Sequence, residues 1–438
     1  MKSKWRLATG LGLLLVFFAV TAPGNAAPGE LRVRVVTEPV SVTIVAPQGL
    51  ALTDTAGNSL GTLTGRVSLT LKAEGGRLAL PDGRKVTALR IVPQPAEETN
   101  LLQVLDRPYR GTFEVKASAA GLSVINVVGV EDYLRSVVPT EMPAGWPEEA
   151  LKAQAVAART FAYRNQGRHA AEGFDLCATE HCQVYRGAAA ETPFTDQAVR
   201  ATAGLVLRFQ GELINACYHA SSGGHTEAAG AVWGTDVPYL QGVNDDFDRS
   251  PYSEWEVSFA PAELSALLDK AGYTVGSLEE VVPLSYTPSG RVASFLLRGS
   301  AASQTIAAEK FRQILGTTVL KSTWVEVHTD TAQSPDSGRA VVQVQGAGGR
   351  GQAILLPGTK AVTASGLQVI VPQGGSRVRS RGGSPVHFVF HGRGYGHGVG
   401  LSQWGARGMA EQHTAAGDEF YRQILNYYYQ GVSIEPYS

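Results

Sequence analysis

From Gly392 to Gly400 glycine takes every second position, with Arg393, Tyr395, His397 and Val399 between. In an extended segment alternate residues face one side. One face of this strip is then bare backbone, and Arg393, Tyr395 and His397 point together from the other. A bare face lets a polymer lie close to the backbone. Tight internal packing would use the same pattern, but its regularity favours a binding strip. No Gly-Lys-Ser/Thr follows, which removes a phosphate loop. Gln403 and Trp404 open the next helix, where Trp404 can stack on a sugar ring.

The stretch Gly129 to Arg164 is the second constraint. Glu131 to Val138 reads as a short helix stopped by Pro139. Pro139 and Pro143 bracket Glu141 in a short irregular link. The next helix starts at Pro147, with Glu148 and Glu149 in its first turn, choices that suit a helix N-terminus. Leu151, Ala155, Ala158 and Ala162 share one face, small enough for a neighbour to lie very close. An acid fixed in such a link suits proton transfer, since partial burial against Met142, Pro143 and Trp146 would raise its pKa. A loop glutamate taken alone is more often solvated and silent, so these residues by themselves favour the silent reading.

The chain has 438 residues, 44% of them hydrophobic, enough for roughly two to three domains. Its 50 glycines and 22 prolines imply many turns on a β-rich background. Residues 28–115 read as all-β, with alternation at Leu31–Val36 and Val40–Val45 and turns at Gly57-Asn58, Gly75-Gly76 and Asp82-Gly83. Residues 121–128 read as a buried strand, and Ala203–Tyr218 as a second β-rich stretch. Residues 256–320 mix helical patterns (Pro261–Ala271, Ala307–Leu315) with a strand at Val292–Leu297. Residues 330–385 read as strands and turns, and Phe420–Tyr429 as a terminal helix. The expected class is α+β, β-rich with a few helices. The formal charge of −1 argues against a nucleic-acid partner. Lys2, Lys4 and Arg6 precede the apolar run Leu11–Val20 and the small residues Pro23–Ala27, a secretory signal over 1–26. The alternative is an uncleaved membrane anchor, for which the run is short.

Three cysteines, Cys177, Cys182 and Cys217, are an odd number for an exported chain. Cys177, His181 and Cys182 have the spacing of a tight zinc turn. A Cys177–Cys182 disulfide suits an exported chain equally, and the spacing leaves both open. His169, His219, His225 or water could complete a metal site. Near Cys217, the run Ser221-Ser222-Gly223-Gly224-His225 turns sharply and would display its two serines and its histidine. It lacks the glycine–serine–glycine elbow of a serine hydrolase, so hydroxyl caps on a structural turn are the plainer reading.

Five segments together resemble the SpoIID/LytB family. They are Val130–Leu134 with Val138–Pro143, Ala153–Ala162, His181–Tyr185, Ser221–Thr226 and Gly392–Ala406. The resemblance runs from about residue 107 to the C-terminus. It implies a leading β-rich region at 27–106 and a family domain at 107–438, with a core at 107–255 and 386–438 and an α/β insertion at 256–385. It further implies a secreted or envelope-facing sporulation-type lytic transglycosylase, on the outer face of the cytoplasmic membrane, cutting peptide-free peptidoglycan glycan strands. Glu141 matches the catalytic glutamate. Gln183, Tyr185, Ser222, His225, Arg393, Tyr395, His397, Gln403 and Trp404 would line the groove. Cys177, His181 and Cys182 would hold one structural zinc that pins the loop presenting Gln183 and Tyr185. Cys217 departs from the apolar or aromatic residue expected there. Most glycosidases need two acids; this lyase reaction needs one, which protonates the glycosidic oxygen and then takes the proton of the muramic acid C6 hydroxyl. Glu131 and Asp132 read as helix caps, not as a second acid. The same family contains LytB-type enhancers, which bind the wall or a partner amidase without catalysis. A third reading, a zinc hydrolase using His181 and His225, needs an open metal position.

Overall fold

The structure is a computed structural model. It describes residues 29–37, 39–331, 385–413 and 419–437, with the strands Val341–Gly346, Gly349–Ile354, Lys360–Thr363 and Gly366–Val369. Residues 1–26, expected to be a secretory signal, and much of 330–385 lie outside the described residues. Among the described residues no helix is long and apolar enough to cross a membrane. The fold is α+β and β-rich, with the chain forming two units. One unit holds the described residues up to Ala144 with Ala158–Gly204; the other holds Gly145–Ala157 with Leu205 to the end.

In the first unit a seven-stranded sheet faces a six-stranded one. Alternation builds the layer between them: Ser41–Ala46 buries Val42, Ile44 and Ala46, and Val67–Glu74 buries Leu69 and Leu71. Gly121–Gly129 lies inside the larger sheet between Glu30–Thr37 and Thr112–Ser118, so it is buried almost throughout. The boundary expected at 106/107 is not seen. Leu102–Val104 and Arg107–Tyr109 pair as a hairpin across it, and the larger sheet joins strands from both sides.

Helix α1, Val130–Glu141, follows directly on Gly121–Gly129. Val130, Tyr133, Leu134, Val137 and Val138 bury one face at helical spacing, and Glu131 and Asp132 occupy the first turn. The helix does not stop at Pro139, as proline chemistry predicts, but runs through it. Proline removes one backbone donor. The turn beyond it is held by other bonds: the Thr140 hydroxyl reaches the carbonyls of Ser136 (3.3 Å), Val137 (2.8 Å) and Val184 (2.9 Å), and Met142 N donates to Val138 O at 2.9 Å. Glu141 is therefore the last residue of a helix, not part of an irregular link. Helix α2 spans Glu148–Arg164, one residue later than expected, because the Pro147 carbonyl accepts the first bonds from Ala150 and Leu151. Burial extends beyond the expected face to Gln154, Arg159 and Thr160. Arg159 meets both oxygens of Glu131, at 2.8 and 2.7 Å, and Gly204 N also donates to that carboxylate. Glu131 is thus an anchor for α1 rather than a simple cap.

In the second unit Pro385–Gly392 is the central strand between Trp255–Phe259 and Val325–Thr331. Its inward side chains Phe388 and Phe390 join Phe259, Leu264, Leu268, Phe295 and Phe311 in one apolar core. Each such fully buried side chain contributes about 1.5–3 kcal/mol. The strands Leu278–Tyr286, Val292–Gly299 and Ser303–Ala307, with the helices Pro261–Lys270 and Ala308–Leu315, close that core.

Replacing Thr140 by valine removes the hydroxyl that ties the last turn of α1 to the Val137 and Val184 carbonyls. Urea unfolding should show a loss of about 1–2 kcal/mol, with Thr140→Ser close to wild type.

Candidate functional site

Glu141 is half-buried at the C-terminus of α1, before the buried Met142. On the same helix the phenol of Tyr133 is fully buried and donates to Gln183 Oε1 at 3.1 Å; the Gln183 amide donates in turn to Ala158 O at 3.2 Å. Burial raises the Tyr133 phenol well above its usual pKa, with the charge of Glu141 among the smaller contributions. Tyr185 is also buried, its hydroxyl 2.7 Å from Asn126 Oδ1 and its ring 4.9 Å from that of Tyr133. Gln183 and Tyr185, expected along a groove, are packed beneath the surface with polar groups engaged by the protein. Their order in the sequence gives no sign of that burial.

In the same unit the ligand atoms of His169, Cys177, His181 and Cys182 all lie within 4.8 Å of one another. All three cysteines are free, so there is no Cys177–Cys182 disulfide. His181 Nδ1 is 3.6 Å from each thiol, and His169 Nε2 is 3.5 Å from Cys182 Sγ. A tetrahedral zinc with ordinary Zn–S and Zn–N lengths requires S···N edges of about 3.5 Å. His169 Nδ1 lies 2.6 Å from Glu172 Oε1, a carboxylate partner that orients the ring and leaves Nε2 for a ligand role. Burial opposes ionisation of Cys177, but hydrogen bonds from Thr179, Cys182 and His181 outweigh it and bring that thiol down to about 7, while burial pushes Cys182 up to about 11. The pair thus favours one thiolate near neutral pH. His169 was one of four sequence candidates for the fourth ligand; only folding decides among them. A cavity of about 410 Å³ opens beside the cluster, with Arg34, Arg107 and Thr179 on its wall.

In the second unit the glycine strip is not an extended strand. Gly394, Gly396, Gly398 and Gly400 all have positive φ, between 74° and 117°, a region that favours glycine. The strip lies against Cys217–Gly223: Tyr218–His219 pairs in parallel with Leu401–Ser402, and Tyr395 bridges Ser221. A Cβ on Gly400 would stand 2.1 Å from the Cys217 carbonyl oxygen, and one on Gly398 would stand 2.8 Å from the Arg291 guanidinium. The bare face thus receives the protein's own backbone, and the expected common face of Arg393, Tyr395 and His397 does not form. Arg393 is exposed and stacks 3.6 Å from the Trp324 ring centroid; the Tyr395 ring meets Tyr252 edge-on at 5.0 Å. His397 is partly buried. Burial of its ring, with the charges of Arg312 and Arg291, pulls its pKa down to about 3. Its Nδ1 accepts from Val399 N at 3.0 Å, so neutral His397 carries its proton on Nε2.

Ser221 and Ser222 are fully buried, not displayed. The Ser221 hydroxyl donates to Asp248 at 2.7 Å, and that of Ser222 lies 2.7 Å from Asp245 and 3.0 Å from Asp248. Tyr428 donates to the other Asp245 oxygen at 2.8 Å. Burial raises the Asp245 carboxyl to about 6 against the pull of these hydrogen bonds. Arg291, fully buried, donates to the carbonyl of Ser222 at 2.6 Å, and burial brings its pKa down to about 10. None of Asp245, Asp248 and Arg291 stands out in the sequence, since each lies far along the chain from the turn it secures. His225 is half-buried with Nδ1 on Thr226 O. Gln403 is buried, 3.4 Å from Gln154. Trp404 meets Trp146 edge-on at 4.9 Å with Arg407 over its ring, so part of its surface is already used.

The family model described as stage II sporulation protein, SpoIID, matches residues 118–209. The amidase enhancer of Bacillus subtilis is 32% identical over 385 residues, covering 84% of this chain and 50% of the enhancer. An uncharacterized protein of Brachyspira hyodysenteriae is 30% identical over 318 residues, covering 72% of this chain and 69% of that protein. The chain belongs to the SpoIID family. Stage II sporulation protein D of Bacillus subtilis is 28% identical over 350 residues, covering 74% of this chain and 82% of that protein. The match thus spans about half the length of the enhancer but most of the sporulation protein. The SpoIID segment contains Glu141 and all four residues of the Cys/His cluster; the glycine strip and the buried serines lie beyond it.

The Asp245 carboxyl yields a pH dependence with a definite sign. An ordinary aspartate titrates at about 3.9, so a folded value of about 6 means the native state binds this proton more tightly. Its contribution is complete below about pH 4 and lost as pH rises through about 6, a change of about 3 kcal/mol. Asp245→Asn removes the titration. The variant's stability relative to wild type, followed by denaturant unfolding, should rise by up to that amount from pH 4 to pH 7.

Proposed function

We propose that this chain is a peptidoglycan lytic transglycosylase acting at the cell envelope on glycan strands, peptide-free ones by preference, with Glu141 as its acid and base. The observation that supports this best is the setting of Glu141: a half-buried carboxyl at the end of a helix that Pro139, Thr140 and Met142 hold in place. A positioned, partly desolvated carboxyl suits general acid catalysis. In the reaction the Glu141 proton passes to the glycosidic oxygen as the C1–O bond breaks. The carboxylate then takes the proton of the muramic acid C6 hydroxyl as its oxygen closes on C1, which regenerates the acid and leaves an anhydro end. No water is consumed, and Glu131, committed to Arg159, is not needed as a second acid. A secretory signal over 1–26 would deliver the protein to this substrate.

His169, Cys177, His181 and Cys182 would hold one zinc, for which two thiols and two imidazoles at tetrahedral spacing are a suitable donor set. Four protein ligands leave no open position, so the metal would brace the loop before Gln183, and a zinc hydrolase using His181 is disfavoured. Metal analysis of the reduced protein should return about one zinc per chain, and the Cys177→Ser, Cys182→Ser double variant should return none. An intact mass two protons short would instead indicate a disulfide.

A second reading has its own support: the relative at 32% identity is named an amidase enhancer, which favours a non-catalytic wall protein with a cell-wall amidase as partner. Digestion of purified peptide-free glycan strands separates the two. Wild type should release anhydro-muramyl ends detectable by mass spectrometry, and Glu141→Gln should lower the yield by at least about a hundredfold. No such ends from wild type would sink the transglycosylase; undiminished ends from the variant would sink only the assignment of Glu141.

A further inference from the structure

Beside the edge of the sheet Trp255–Phe259, Pro385–Gly392 and Val325–Thr331, a cavity of about 740 Å³ opens within the second unit. Its volume is in the range of small-ligand sites, about 300–1,000 Å³. Trp255, Tyr286, Trp324, Glu326, His391 and Arg393 meet there. In the register of the three strands, the strand residues that line the cavity fall in two rows on opposite faces, and the cavity at the edge of the sheet is bordered by both. Trp255, Gly392 and Val325 stand side by side, and in the next row Glu256, His391 and Glu326 do the same on the opposite face.

The aromatic groups are held in fixed positions. Trp255 lies so close to Gly392 that a Cβ there would stand 2.2 Å from the indole, and its Nε1 donates to Gly394 O at 2.8 Å. Trp324 carries the Arg393 guanidinium 3.6 Å from its ring centroid, which leaves the guanidinium edge as a planar set of donors. Tyr286 keeps 52% of its surface exposed. Burial, with the charge of Glu326, raises its pKa, so the phenol remains a neutral donor at neutral pH. Glu256 Oε2 lies 3.2 Å from His391 Nδ1.

The charges decide the ligand class. Three carboxylates, from Glu254, Glu256 and Glu326, oppose a phosphate or other anion, while Arg393 beside them opposes a simple cation. Mixed donors and acceptors beside the exposed Tyr286 ring suit a neutral polyhydroxylated ring, since Trp324 already carries Arg393 and Trp255 already carries Lys321. Such a ring presents C–H groups to an aromatic face such as that of Tyr286, and its hydroxyls both give and accept hydrogen bonds. The cavity also continues the chain of the glycine strip, since Gly392 ends the central strand and Arg393 follows it.

We propose that this cavity is a saccharide-binding subsite for one or two pyranose rings of a glycan strand, independent of the acid at Glu141. The choice of glycan rests on the proposed function; the place and the residues do not. The test uses the full chain carrying Glu141→Gln, to prevent turnover, titrated with an N-acetylglucosamine tetramer by calorimetry and tryptophan fluorescence. Tyr286→Ala and Glu326→Gln, both at exposed positions, should each weaken binding about tenfold without moving the thermal unfolding midpoint. Trp324→Phe should reduce the fluorescence response, with Trp255 supplying the remainder. Absence of binding up to millimolar tetramer, or affinity unchanged in all three variants, overturns the proposal. If wild type releases no anhydro ends while these variants still weaken binding, the transglycosylase reading fails and the subsite stands.

Discussion

The second unit depends on one close approach: the backbone of Arg393–Gly400 against that of Cys217–Gly223. There is no room for a Cβ at Gly400, and a β-branched residue would also be strained by the positive φ. Because the two segments touch backbone to backbone, Ser221 and Tyr395 can bridge, and the turn at Gly223–Gly224 is fixed beneath them. The turn then needs internal partners for its polar groups. Asp245, Asp248 and Arg291 supply them, at the cost of a carboxyl raised to about 6 and a guanidinium brought down to about 10. A residue series that could have been a binding surface is thus largely a piece of core architecture, with Arg393 turned out to solvent on Trp324.

In the first unit the corresponding constraint is the end of α1. The Arg159–Glu131 pair fixes its start and Thr140 its last turn. Between them Tyr133 and Gln183 fill the interior with a satisfied polar link. A carboxyl at the end of such an element is positioned and partly buried, a setting that suits the general acid role proposed for it. The Cys/His cluster immediately precedes Gln183 and Tyr185, so the loop that carries them is secured on both sides, by buried hydrogen bonds and by its own thiols and imidazoles.

Much of the fold was legible because its signals are local. Alternation at 31–36 and 40–45 and the apolar run at 121–128 mark the strands Glu30–Thr37, Ser41–Ala46 and Gly121–Gly129, and the charge and proline pattern marks the start of α2 to within one residue. Pro139 misled because the turn beyond it is held by bonds that composition does not show, the Thr140 hydroxyl on Val184 O and Met142 N on Val138 O. The boundary at 106/107 misled because a hairpin pairs across it, and pairing between distant strands leaves no trace in composition. Burial of Gln183, Tyr185 and Ser222 was equally illegible: each is polar, and only its partners, Ala158, Asn126 and Asp245, make an interior position tolerable.

By itself the sequence determined the class of fold, the helices around Glu141, the presence of a thiol–imidazole cluster and, through its motifs, the SpoIID family. These follow from residue type, period and spacing along the chain. Tertiary structure alone decided that Glu141 ends a helix, that His169 joins the cluster and that no disulfide closes it. It also decided that alternate glycines serve close packing instead of a flat strip. Each of these depends on which distant groups meet in space, and on whether a buried donor or acceptor finds a partner there.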